Sequence, residues 1–151
     1  MADIHIDDFY HDVAKIFLRL YATFPVKITL YVEDISGPDE PDEFGLHHPR
    51  FEACFSTLVW LAEQGYLSFE STVRQDALDQ VVLSQKAFLL LTSHSELKLV
   101  SPPETQDWPP SVAEELQTNV SQLRGAMKEK SSIALKHCVS YLLAQPPIGG
   151  H

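Results

Sequence analysis

Apolar and polar positions follow two different periods between His48 and Leu91, and the switch between them predicts a helix, a hairpin and a second helix. Phe51, Cys54, Phe55, Leu58, Val59 and Ala62 recur at the three- and four-residue spacing that lines one face of an α-helix. Pro49 suits a first helical position, where its missing N–H would have had no partner, and Gly65 suits the left-handed residue just past the end. From Tyr66 to Val73 the period becomes two, and Gln80 to Leu83 is a short β-branched run, so two antiparallel strands joined by Arg74 to Asp79 are expected. Ser84 can cap a short, very apolar helix from Gln85 to Leu91.

Upstream, Asp7 or Asp8 can start a helix in which Phe9, Val13, Ile16, Phe17, Leu20 and Phe24 form a stripe, with Asp12 and Lys15 on the solvated side. Tyr10, Leu18 and Tyr21 widen the apolar sector, which calls for packing on more than one side. Pro25 ends this helix. Val26 to Ile28 reads as a short strand and Thr29 to Ile35 as a short second helix. Ser36 to Gly45 holds two prolines, two glycines and four acids, the composition of a loop.

The order helix, Gly65-Tyr66, strand, polar turn, strand, Leu83-Ser84, helix resembles the second half of a winged-helix domain, and the resemblance covers roughly residues 7–93. It implies that the helix over 50–64 is the one able to enter a DNA groove, that the hairpin over 67–83 is the wing, and that 26–28 is the lone strand paired with it.

Beyond Ser95, Glu96 to Val100 can add an edge strand, and Pro102, Pro103, Pro109 and Pro110 impose an extended connector. Ser111-Val-Ala-Glu114 has the form of a capping box. Leu116, Val120, Leu123 and Met127 follow as a narrow seam suited to one other helix. A final helix from Ser131 or Ser132 to about Ala144 carries Leu135, Cys138, Val139 and Leu142 on one side and Ile133, His137 and Tyr141 on another. The expected fold class is therefore mainly α with a small antiparallel sheet (α+β). A winged-helix-like domain over 7–95 precedes a connector over 96–110, a helical hairpin over 111–145 and a disordered tail over 146–151. The second apolar side of the last helix needs either this chain's own core or a second copy. The resemblance implies the copy, since many winged-helix regulators dimerise through added helices, and Leu116, Val120, Leu123, Met127 and Tyr141 are the dimer candidates.

Charge changes the picture most. The chain of 151 residues carries a net charge of -10. Residues 1–95 hold fifteen acids and six bases, -9, and residues 96–151 hold six acids and five bases, -1. The excess falls on the part where DNA would bind, which disfavours a polyanion as partner. Glu33, Asp34, Asp39, Glu40, Asp42 and Glu43 lie within eleven positions without one base, an acidic run suited to a protein with a basic surface, or simply a solvated loop. Trp60, between the apolar and polar sectors of its helix, is either a boundary core residue or an interface anchor. Under the DNA-binding alternative, Arg50, Ser56, Arg74 and Gln75 are the contacts.

Chemistry is sparse. The acidic loop fails the calcium-loop pattern, and adjacent His47 and His48 cannot both face one ion without strain, so neither calcium nor zinc is expected. Cys54 and Cys138 read as core residues. No nucleophile elbow, phosphate loop, dinucleotide fingerprint or zinc-protease motif occurs, and no cofactor is called for. The expectation is a cytoplasmic, non-enzymatic regulator without a membrane span, in contact with a protein more readily than with DNA. A site assembled across the fold keeps catalysis as the third reading.

Overall fold

The computed structural model describes residues 4–38, 43–44, 48–97 and 117–145. Among these the fold is mainly α with a small antiparallel sheet. The elements run α1 (Ile4–Thr23), β1 (Ile28–Tyr31), α2 (Val32–Ser36), α3 (Pro49–Glu63), β2 (Leu67–Ser68), β3 (Ser71–Val73), β4 (Ala77–Leu83), α4 (Gln85–Thr92), α5 (Asn119–Lys128) and α6 (Ser132–Leu143).

The local signals explain most boundaries. α3 begins at Pro49, with His48 as N-cap accepting the Arg50 N–H through Nδ1 at 3.0 Å. Gly65 follows its end at φ 84°. Ser84 caps α4 by accepting from Ala87 N at 3.2 Å, and its own hydroxyl donates to the Gly65 carbonyl, which ties the start of α4 to the end of α3. Ser131 caps α6 in the same way, accepting from Ala134 N.

β4 is the centre of the sheet. It pairs antiparallel with β1 on one side and with β2 and β3 on the other. The β3–β4 turn is tighter than the sequence suggests: β4 starts at Ala77 rather than Gln80, because Arg74 and Gln75 take φ 52° and 67° and the Asp76 N–H closes on the Val73 carbonyl at 2.8 Å. Two successive positive φ values make a mirror-image turn whose twist suits a hairpin. Gln80, at φ 57°, is the extra residue in β4 where the register with β1 shifts between Ile28 and Leu30.

Three expectations are corrected in this half. β1 runs over 28–31 and α2 over 32–36, so Thr29 to Tyr31 belong to the strand and not to a helix. Leu30 is buried opposite Leu78, and that pairing decides against helix. α1 starts at Ile4, before the proposed caps. Asp12, placed on a solvated side from the sequence, is 1% exposed.

One hydrophobic core draws on every element except β3, whose three residues are exposed. Val13, Ile16, Phe17 and Leu20 of α1 pack in the same cluster as Leu58 of α3, Leu78 and Val81 of β4, Leu91 of α4, Val120 and Leu123 of α5 and Cys138, Val139 and Leu142 of α6. The widened apolar sector of α1 is thus met on one flank by α3 and on another by the α5–α6 pair. Burying this many large side chains, at about 1.5–3 kcal/mol each relative to exposure, is the main stabilising contribution.

The helical hairpin expected over 111–145 is broken before α5 by an extended residue. Thr118 is extended and caps α5, which starts at Asn119, and residues 117–118 pair with the chain after α4. Ser95 N–H donates to the Gln117 carbonyl at 2.7 Å, and Asn119 N–H to the Ser93 carbonyl at 2.9 Å. Asn119 Nδ2, buried, donates to the Leu90 carbonyl at 2.8 Å. Glu96 and Leu97 form no strand; residues 98–116, with Leu116, the connector prolines and the Ser111 capping box, and the 146–151 tail lie outside the described residues.

Candidate functional site

The two candidate surfaces are the outer face of α3 with the β3–β4 hairpin, and the acidic run that begins in α2. Their shared feature is Arg50, the one cation on α3. Its guanidinium grips Asp12 in a fork, Nη1 to Oδ2 at 2.6 Å and Nη2 to Oδ1 at 2.5 Å, and Nε lies 3.5 Å from Asp8 Oδ2. Two parallel charge-assisted bonds fix the plane of the guanidinium and turn it toward α1. His11 Nδ1 stands 3.6 Å from Asp12 Oδ1 at the solvent edge.

Burial pushes the Asp12 carboxyl up, but the hydrogen bonding of His11 and Arg50 and the guanidinium charge outweigh it and hold the group below its ordinary 3.8. The same contact raises Arg50, so both partners stay charged at neutral pH. Cys54 lies under this pair, fully buried, and burial together with the Asp12 charge pushes its thiol up to about 12. It is a protonated core group and not a nucleophile. Cys138 is likewise driven to about 12 by burial, and both cysteines are free.

With Arg50 held inward, the exposed residues of α3 are Pro49, Glu52, Ala53, Ser56, Trp60 and Glu63, which include two acids and no cation. Thr57, one residue after Ser56, is buried, with its hydroxyl donating back to the Ala53 carbonyl at 2.9 Å. Of the four DNA-contact candidates the structure brings two together: Ser56 and Gln75 line a groove of about 380 Å³ between α3 and the β3–β4 turn. Glu52 shares that groove, and Phe51 and Phe55 form its floor. Arg74 is exposed in the β3–β4 turn.

Among the partner-binding candidates, Glu33, Asp34 and Glu43 are exposed, whereas Asp39, Glu40 and Asp42 lie outside the described residues. Trp60 is 37% exposed and sets its ring edge against Phe9 at 5.4 Å. Ten residues separate it from Arg50, about 15 Å along the helix, so it does not join the end of α3 next to the acidic run.

Of the five dimer candidates Leu116 lies outside the described residues, and the other four have partners within the chain. Val120 and Leu123 are 3% and 0% exposed in the common core, and Met127 and Tyr141 pack against it half-buried. Val120 and Leu123 are thereby unavailable to a second copy, whereas Met127 and Tyr141 keep part of their surface exposed. Of the second apolar side predicted for α6, Tyr141 packs on the core, whereas Ile133 is 82% exposed and His137 is exposed too.

Sequence reasoning missed Asp12 as the centre of this region. The signal was there, since Asp12 stands three residues after Phe9 and four before Ile16, on the edge of the apolar stripe. Among the described residues no group of three His, Cys, Asp or Glu side chains is arranged to hold a metal ion, and no helix is long and apolar enough to cross a membrane. Compared with family models, curated proteins and solved structures, the chain matches none.

Proposed function

We propose that this chain is a non-enzymatic winged-helix module that binds a protein with a basic surface and not DNA. The order α1, β1, α2, α3, hairpin, together with β4 between β1 and the hairpin strands, supports the winged-helix reading. The observation that carries the choice of partner is the pairing of Arg50 with Asp12 and Asp8, which leaves the exposed face of α3 with Glu52 and Glu63 and no positive charge. A helix in a DNA groove needs cations for phosphates and forked donors for base edges. Here the fork is closed on a carboxylate.

The test is fluorescence anisotropy of the full chain with a labelled random-sequence duplex over a range of salt. Binding weaker than about 10⁻⁴ M at physiological salt, the weak limit of ordinary non-specific association, is the expected result. Micromolar binding with a steep salt slope would replace this reading with that of a DNA-binding regulator acting through Ser56, Arg74 and Gln75. For the protein partner, Asp39→Asn, Glu40→Gln, Asp42→Asn and Glu43→Gln together are expected to weaken association with a basic protein and flatten its salt dependence.

A further inference from the structure

A groove of about 450 Å³ lies between the first turns of α1 and the link from α5 to α6, and it shares no residue with α3 or the wing. Its size falls in the range of small-molecule sites. Tyr10, Ala126, Met127 and Leu135 supply an apolar floor that is continuous with the core. The walls carry opposite charges, Asp7 on α1 and Lys130 on the link.

The free charges on these walls can be identified. Asp8 and His11 also line the groove, but they lean toward the Arg50–Asp12 pair, at 3.5 Å and 3.6 Å. Neither Asp7 nor Lys130 makes an ion pair or side-chain hydrogen bond among the described residues. Lys130 is held in place by its backbone, at φ 56° with its N–H on the Met127 carbonyl at 3.2 Å. Two opposite charges that face one apolar groove without meeting each other suit a molecule carrying both complements.

We infer that this groove binds a small zwitterion with an apolar body, of the amino acid class, its ammonium toward Asp7 and its carboxylate toward Lys130. A molecule with one charge would satisfy one wall and leave the other as it is in water, so a zwitterion gains on both. The apolar body displaces water from Met127 and Leu135.

Met127 lines the groove, so its signal in the full protein labelled with ¹³C-methyl methionine reports on occupancy of the groove. The probes are L-leucine and 6-aminohexanoate, which differ in charge separation, with hexylamine and hexanoate as singly charged controls. One of the two zwitterions is expected to move the Met127 signal saturably with a dissociation constant on the order of 1 mM or tighter. Asp7→Asn and Lys130→Gln, both at exposed positions, should each weaken that binding about threefold while leaving the circular dichroism spectrum unchanged. Hexylamine and hexanoate should act at least several-fold more weakly. A Met127 signal that neither zwitterion moves, or that the singly charged probes move equally well, or binding indifferent to both variants, overturns the inference. DNA or protein binding at α3 does not enter any of these readings.

Discussion

Asp12 shows how one residue can set the chemistry of a surface it never reaches. It is buried on α1, yet it decides what α3 can offer outside, because it claims the only guanidinium on that helix. Buried ion pairs are rarely net stabilising against apolar substitutes, but half of one is costly. Asp12→Ala, which strands Arg50, is expected to destabilise the chain by about 3 kcal/mol in urea unfolding; this is the low end for a broken buried pair, since Arg50 keeps 25% of its side chain exposed. The double variant Asp12→Leu, Arg50→Met should recover most of that loss. The sign of the pH dependence follows from the lowered carboxyl. The unfolded chain takes up a proton near 3.8 and the folded chain only below that, so the stabilisation is complete above pH 3.8 and is lost as pH falls through the folded value. Acid titrations of wild type and the double variant should therefore diverge only at the acid end, and divergence near neutrality would mean that a different group titrates.

At the scale of elements, what could be read in advance was what is written locally. Pro49, Gly65 and Ser84 bound α3 and α4 because each answers a free backbone group at a helix end, and the end groups do not depend on distant contacts. β1 was shifted because Thr29, Leu30 and Tyr31 have no local stop signal; their strand state comes from pairing with β4, nearly fifty residues away. The start of α5 was missed for the same reason, since the residues before it pair with the chain after α4 and not with one another. The pair Arg74 and Gln75 is a different case, a turn made without the glycine or asparagine it favours. Arg74→Asn with Gln75→Gly is expected to raise stability by about 1 kcal/mol through relief at two left-handed positions, measured as a shift in urea midpoint with unchanged slope. The α5–α6 pair offers a contrast in one helix: Leu142→Ala should cost about 2–5 kcal/mol, whereas Ile133→Lys, at an 82% exposed position, should fall within about 0.5 kcal/mol of wild type.

For the whole molecule, the net charge of -10 and the single core pull against each other. Like charges spread over one compact body repel, and compaction brings them closer than they are in the unfolded chain, so the folded state bears the larger electrostatic cost. Screening relieves it: the Debye length falls from about 30 Å at 0.01 M salt to about 3 Å at 1 M. The Arg50–Asp12 contact is short and sheltered, and salt weakens it little by comparison. The repulsion between exposed acids such as Glu33, Asp34, Glu52 and Glu63 is what salt removes. Melting temperature in sodium chloride is therefore expected to rise from low salt toward about 0.5 M, by several degrees for a stability change of about 1 kcal/mol in a chain of this size. Glu33→Lys with Asp34→Lys should raise the low-salt value and shrink the salt-dependent rise, since it removes charge where the acidic run begins. A melting temperature that falls with salt would mean that attractive surface pairs outweigh the excess of acids, and the attraction of a basic partner would then have to come from a local patch and not from the field of the whole chain.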